Sequence, residues 1–449
     1  MVRLMLRAIK FLCFLPLLFT PLSLHAQAAA QLSALSERLD RLEQENRELS
    51  DQVKALRAEL AALVTQSETN QTTETGQIEL QQRRIDEQQQ AKVEASQKFP
   101  IRLAGMVLFN AFLDSKQNGG VDYPVVAAAP GAGRAGATIR QSIVGLDYSG
   151  PETFWGGRVR GSVYMDFFSG TAPLSQTMRL RTGEIELDWA TRSVMAGIEK
   201  PIFNPREPSS LAQVGVSPLT GAGNLWLWVP QVRLEQDFAW AQQTGLRAQM
   251  GVVQTREVGP YPGSMFTPNV EAVRPGLEGR FEFYHKFDDD RRFELAPGFH
   301  VSTTHAGGFS IPSQVVSFDW FVNPVRWFEF SGAFYRGQNI ALLGAGYRQG
   351  FDIDVNGSEA VHSQGGWGQF TIHATRRFDF HLFSGQQDDR NSDLITGLIG
   401  KNLLFGGNLF FRLAPNVLLG PEVSQVRTLY VGQGTRLNNH YDLALGYLF

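Results

Sequence analysis

From residue 99 to residue 449, the chain consists of segments of about ten residues in which apolar and polar side chains alternate. In residues 158–167, for example, valine, glycine, methionine and phenylalanine fill the odd positions, and arginine, serine, tyrosine and aspartate fill the even ones. A period of two places successive side chains on opposite faces of a β-strand. Each segment therefore predicts a strand with one apolar face and one polar face.

The number and spacing of these segments predict a closed barrel. Sixteen strands are predicted, near residues 100–114, 138–148, 157–168, 178–190, 193–203, 230–240, 244–255, 275–287, 292–304, 312–323, 326–338, 366–375, 377–387, 397–413, 416–429 and 439–449. Connections such as 241–243 and 376–377 are short, and they alternate with long ones such as 204–229 and 339–365. An even strand count with short turns on one side is typical of transmembrane β-barrels, and a soluble sandwich has no reason to produce it. Sixteen strands also leave an aqueous lumen.

The composition agrees with a membrane barrel. Aromatic residues make up 11% of the chain, with 32 phenylalanines, and charged residues only 19%. The formal net charge of −3 gives no reason to expect a nucleic-acid partner. The only cysteine, Cys13, lies in the first 26 residues, so disulfides, thiol catalysis and cysteine-bound metals are not expected after processing.

The first 26 residues predict a secretory signal peptide. Arg3, Arg7 and Lys10 form a basic start, residues 11–24 are apolar, and Ala26 ends a small-residue cleavage site. A retained membrane anchor is disfavoured because the apolar run is too short to span a bilayer comfortably.

Residues 27–64 predict a coiled coil that joins copies of the chain. Apolar residues recur at spacings of three and four, and Asn46 is the one polar residue in the seam. The predicted oligomerisation residues are Leu35, Leu42, Asn46, Leu49, Leu56 and Leu63. The heptads leave open whether two or three chains associate. Residues 65–98 are rich in glutamine, threonine and glutamate and predict a polar linker.

The C-terminal strand places Tyr441, Leu443, Leu445, Tyr447 and Phe449 on one face. It resembles the closing strand of bacterial outer-membrane barrels, whose terminal phenylalanine is part of the signal read by the insertion machinery. The resemblance implies that Tyr441, Tyr447 and Phe449 form this insertion signal.

Signal peptide, heptad coil, polar linker, sixteen strands and terminal phenylalanine together resemble the DcaP-like trimeric porins that carry an N-terminal coiled coil. Short segments such as residues 180–187 add to the resemblance. It implies a homotrimer in the outer-membrane lipid, with the N-terminal segment in the periplasm and no cofactor. It also implies passive passage of small hydrophilic, anionic, dicarboxylate-like solutes, and a third outer loop, 204–229, folded into the lumen.

Charged residues on the polar faces and in that loop are the candidates to line the pore. They are Arg158, Arg160, Arg179, Arg181, Arg206, Glu207, Arg233, Arg247 and Arg280. Guanidinium groups bind carboxylates through two hydrogen bonds, so a row of them favours anions. Carboxylates such as Glu235 and Glu282 lie on the same faces, and the pattern leaves open whether arginine and glutamate simply pair. The register of Arg179 and Arg181 is also open.

Other chemistries receive little support. Residues 352–357 match the first half of a calcium loop, but Ser363 stands where that loop needs a glutamate, so no metal site is predicted. The chain has no Gly-x-Ser-x-Gly or HExxH motif, and no enzyme is predicted. The alternative to a pore is a structural tether. A coil of roughly 34 residues would span about 50 Å and could contact peptidoglycan while the barrel serves as an anchor.

Overall fold

The computed structural model describes most of the predicted barrel. The described residues are 100–116, 118–119, 121–128, 131–169, 176–345 and 347–449, together with the helical residues Gln44, Lys54, Leu56, Arg57 and Glu59. The predicted signal peptide and linker, and the rest of the predicted coil with its other seam residues, lie outside the described residues. No helix within the described part is long and apolar enough to cross a membrane.

The described residues form nineteen strands and three short 3-10 helices. The strands are β1 (Ile101–Asp114), β2 (Arg134–Thr138), β3 (Ile143–Glu152), β4 (Arg158–Asp166), β5 (Arg179–Asp188), β6 (Arg192–Glu199), β7 (Val229–Ala241), β8 (Thr244–Arg256), β9 (Val273–Lys286), β10 (Arg292–Ala306), β11 (Phe309–Val325), β12 (Phe328–Gln338), β13 (Phe351–Ile353), β14 (Ser358–Ala360), β15 (His362–His373), β16 (Phe378–Asp389), β17 (Ile399–Ala414), β18 (Val417–Tyr430) and β19 (Gly434–Leu448). The 3-10 helices are Phe154–Gly156, Ala341–Leu343 and Asn391–Asp393.

Seventeen strands form one antiparallel sheet that closes on itself through pairing of β1 with β19. β2 and β3 both pair with β1, at its two halves, and therefore act as one barrel strand. β13 and β14 form a separate hairpin between β12 and β15. The barrel thus has sixteen strands, which confirms the predicted fold class.

The second barrel strand, predicted as continuous, is interrupted at residues 139–142. Ser142 holds the interruption, because its hydroxyl accepts a hydrogen bond from Leu108 N (2.9 Å) and donates one to Ile139 O (2.8 Å). These side-chain hydrogen bonds replace some of the backbone hydrogen bonds between strands that the interruption removes. The break allows Gln141 to leave the sheet and point inward.

The outer surface of the barrel is apolar. Large hydrophobic side chains are exposed on strand after strand, among them Val107, Phe109, Val232, Leu234, Phe318, Phe380 and Leu445. A closed sheet has no unpaired edge, and this is how strands cross a bilayer. Such a continuous apolar surface fits lipid rather than water.

The C-terminus completes the closure. Tyr441 and Tyr447 of β19 pair with Leu113 and Val107 of β1, and both tyrosines are exposed on the outside. The Phe449 backbone exchanges two hydrogen bonds of 3.1 Å with Gly105. Gly105 suits this position because an added Cβ would lie 2.7 Å from the Phe449 ring.

The two ends of the barrel differ as the sequence predicts. At the short-turn end, the connections are residues 153–157, 189–191, 242–243, 287–291, 326–327, 374–377 and 415–416. At the long-loop end, the major connections are loop L1 (115–133), loop L3 (200–228), loop L4 (257–272) and loop L6 (339–361). Loop L7 (390–398) lies at the same end.

Candidate functional site: the barrel lumen

Loop L3 crosses the inside of the barrel. Its backbone accepts hydrogen bonds from strands far apart in the sheet: Asn110 of β1 donates to Leu211 O (2.9 Å), and Asn402 of β17 donates to Gly221 O (2.8 Å). Ser317 of β11 donates to the carbonyl of Phe203 (2.8 Å). Only a segment that lies in the lumen can reach all three walls.

Arg206 attaches the first half of L3 to a cluster of carboxylates on the inner wall. Its Nη2 donates to Glu294 of β10 (2.7 Å), and its Nε donates to Asp319 of β11. Arg280 of β9 binds the same Asp319 through Nε (2.7 Å) and Nη2 (2.8 Å). Charge-assisted bonds in a buried setting are strong, and removing one partner leaves a buried charge unpaired. Arg206 is therefore an anchor for the loop.

Gln141 holds the middle of L3 and was not identified from the sequence. Its Nε2 donates to Ala212 O (2.7 Å), and its Oε1 accepts from the backbone N–H groups of Val214 (2.7 Å) and Gly215 (2.8 Å). A single glutamine in a predicted strand carries no pattern that marks it. The interruption between β2 and β3 frees this side chain.

A β-bulge decides the orientation of Arg179 and Arg181. Met165 pairs with Leu180 and Tyr164 with Thr182, so Arg181 is the extra residue in β5. Arg179 and Arg181 therefore both reach Asp166, at 2.7 and 2.9 Å. They also donate to L3 carbonyls, Arg181 to Val214 O at 2.9 Å and Arg179 to Gly215 O at 2.5 Å. Alternation in the sequence does not show a bulge.

The second half of L3 packs against one side of the lumen. Leu219 and Ala222 form a buried cluster with Trp367, Phe383 and Leu404 of the wall. Gly223 has φ of +100°, and an added Cβ would lie 2.1 Å from the Gly366 carbonyl oxygen. A second buried cluster joins L3 to L6 and the wall, through Phe203, Leu225, Val315, Tyr335, Ile340, Leu342, Leu343 and Ala345.

The loops consequently cover one side of the inner wall and leave the other accessible. Inward side chains of β10, β11 and β15–β19 are at most 3% exposed at His300, Thr304, Asp319, Gln369, Asn402, Thr428, Asn438 and His440. By contrast, several inward residues of β4, β5, β7 and β8 keep contact with water, namely Arg158, Arg160, Glu184, Glu186, Arg233 and Arg247. The water-accessible part of the inner wall therefore lies along β4–β8.

The predicted arginines divide into free and paired groups. The Arg160 side chain is 60% exposed and lies 2.9 Å from Asp188, whereas Arg158 and Arg233 have no ion-pair partner among the described residues. Arg247 binds Glu282 at 2.8 Å. Arg280 is only 3% exposed and does not reach open water, because Asp319 and Glu282 bind it beneath L3. Within L3, Glu207 pairs with Lys200.

The calcium-like segment forms an ordinary hairpin loop. Asp354 Oδ1 accepts from the backbone N–H groups of Asn356 (2.7 Å) and Gly357 (2.8 Å), and Asp352 accepts from the Tyr261 hydroxyl (2.8 Å). Among the described residues, no three histidine, cysteine, aspartate or glutamate side chains are placed to hold a metal.

No protein-family model and no curated protein matches the chain. Several solved structures do match the chain in fold. The outer membrane channel DcaP of Acinetobacter baumannii superposes with a TM-score of 0.66 at 14% identity, over 78% of this chain and 97% of that one. The anion-selective porin from Comamonas acidovorans superposes with a TM-score of 0.51 at 12% identity, over 78% of this chain and 99% of that one. This chain therefore has the sixteen-stranded fold of the DcaP channel.

Proposed function

We propose that the protein is an outer-membrane porin through which small hydrophilic solutes diffuse passively. The observation that carries the proposal is the accessible charged wall along β4–β8, beside a loop that crosses and narrows the lumen. A packed, closed core would leave no inward charge in contact with water, yet the Arg160 side chain is 60% exposed. Passage needs no covalent chemistry, only weak successive contacts between solute and wall.

We further propose that the favoured solutes are anions such as small dicarboxylates. Arg158, Arg160 and Arg233 supply guanidinium groups on the accessible wall, and a structural neighbour is described as an anion-selective porin. The carboxylates Glu184 and Glu186 on the same wall act against this preference. Arg206 and Arg280 contribute little to it, because buried carboxylates already neutralise them.

Single-channel recording of the refolded protein in a salt gradient tests both proposals. A porin is expected to give stable conductance, and anion preference is expected to give a reversal potential of matching sign together with block by dicarboxylates. Three equal closure steps would support a homotrimer. Cation preference would support the pore but contradict the proposal of anionic solutes. A folded barrel without conductance would contradict the pore itself.

A second candidate is a tether, in which the coil contacts peptidoglycan from the periplasm and the barrel anchors it. The packing of L3 and L6 against one side of the lumen favours this reading, because an anchor tolerates a filled barrel. Deletion of residues 31–64 separates the two functions. A pore keeps its conductance after the deletion, whereas a tether loses co-sedimentation with isolated peptidoglycan.

A further inference from the structure

The outer surface carries an apolar groove at the long-loop end, across β6, β7, β8 and β9. It has a volume of about 520 Å³. Its outward side chains are the apolar Ala196, Pro230, Val232, Val252, Val273 and Pro275 and the polar Gln254. Ala196 pairs with Val232, and Val232 pairs with Val252, so the lining is continuous across neighbouring strands. Val232, Val252 and Val273 are about half exposed, on the lipid-facing side.

Small and constrained side chains make the groove. Ala196 has only a methyl group, and Pro230 and Pro275 lie at the starts of β7 and β9, where a proline costs few ladder hydrogen bonds. Larger outward residues, such as Leu234 and Leu277, follow on the same strands. The groove therefore has the shape for a slender apolar group and lies at the long-loop ends of these strands.

A positively charged side chain, Arg256, lies at the long-loop end of the groove. Arg256 is the last residue of β8 and pairs with Val273 of the groove wall. Its side chain is exposed, and within the described part of the chain it has no hydrogen-bond or ion-pair partner. The nearby carboxylate, Glu271, is already bound by Arg274 (2.7 Å), which also contacts His305 Nδ1 (3.1 Å). Among the described residues, Arg256 thus leaves one exposed, unpaired guanidinium at this edge of the groove.

We propose that this groove binds one acyl chain of an anionic lipid, with Arg256 holding the phosphate of its headgroup. The groove walls alone give an acyl chain little preference for the groove over the surrounding bilayer, because the lipid tails there are as apolar as the walls. Selectivity must come from the guanidinium at headgroup level, where a single arginine strengthens binding of an anionic lipid about fivefold. The inference concerns the outer surface and holds whether or not the lumen conducts.

Native mass spectrometry of the refolded protein tests the site. Phosphatidylglycerol and phosphatidylcholine with identical acyl chains are titrated separately, and the fraction of protein carrying one lipid gives each affinity. We expect phosphatidylglycerol to bind about fivefold more tightly. Arg256→Ala should abolish that preference. Arg336→Ala is the matched control, because Arg336 is exposed near the long-loop end of β12 and does not line the groove.

A second pair of variants tests the groove itself. Ala196→Trp fills it from the lipid side and should lower the occupancy of both lipids, whereas Ala248→Trp, outside the groove on β8, should not. Equal affinity for the two lipids, or a phosphatidylglycerol preference that survives Arg256→Ala, would overturn the proposal. Displacement of the lipid by millimolar inorganic phosphate would overturn it too, because it would assign the site to a free anion.

Discussion

Arg206 in the lumen loop donates a 2.7 Å hydrogen bond to Glu294 on the barrel wall, although 88 residues separate them in the chain. Asp319 and Glu282 contact the same guanidinium, so one side chain ties L3 to three neighbouring strands. The position of L3 in the lumen depends on such contacts.

We expect Arg206→Ala to loosen L3 and to increase single-channel conductance and its noise. The substitution leaves Glu294 and Asp319 buried without this counter-charge and should lower the free energy of unfolding by about 3 kcal/mol. Arg206→Lys keeps the charge but loses the forked geometry of the guanidinium. Its conductance and free energy of unfolding should therefore lie between those of the unsubstituted protein and Arg206→Ala. Unchanged conductance in Arg206→Ala would mean that other contacts suffice to hold L3.

The charge preference of the pore should respond to accessible residues and not to paired ones. Arg233→Gln should move the reversal potential in a salt gradient towards cation preference, because its guanidinium has no ion-pair partner on the described wall. The double variant Glu184→Gln/Glu186→Gln should move it towards anions. Arg280→Gln should destabilise the barrel and change selectivity less, since Arg280 is buried under L3. A larger shift from Arg280→Gln than from Arg233→Gln would contradict the proposed passage.

Gly223→Ala should detach the second half of L3 from the wall. The added methyl would lie 2.1 Å from the Gly366 oxygen, in a backbone conformation that alanine rarely adopts. We expect a loss of about 2 kcal/mol or more in the free energy of unfolding, measured by urea titration in lipid vesicles. Gly259→Ala in L4 is the control, because an added Cβ there meets no atom within 4 Å. Equal stabilities of the two variants would refute the close packing.

The contact between L7 and the start of β15 should weaken in acid. Burial raises the pKa of Asp393, but the backbone N–H (3.0 Å) and ring Nδ1 (2.9 Å) of His362 contact the carboxylate and hold its pKa below the ordinary 3.8. The resulting stabilisation is complete above the ordinary pKa and is lost as pH falls through the lower, folded value. Hydrogen exchange at the His362 amide should therefore show declining protection as the pH falls below about pH 4. Asp393→Asn should remove that dependence, and a pH profile identical to the unsubstituted protein would contradict it.

How much of this structure can be predicted from the sequence depends on how far apart in the chain the interacting residues lie. The alternation of side chains is local, and it predicted the sixteen barrel strands and the contrast between long loops and short turns. The same alternation failed where the backbone departs from regular pairing. It missed the interruption at residues 139–142, and the bulge at Arg181 places a residue on the inner side that strict alternation assigns to the outer one. The coiled coil of residues 27–64 stays a prediction from its heptads.

Neighbouring residues alone are enough to assign the lipid-facing side of a regularly paired strand, because the period of two and the apolar face are local properties. Which charged side chains are free in the lumen depends instead on contacts between residues that are distant in the chain. Asp319 neutralises Arg206 across 113 residues, and Gln141 binds Ala212 across 71. No local pattern records such pairs, since they exist only once the barrel closes and L3 folds into it.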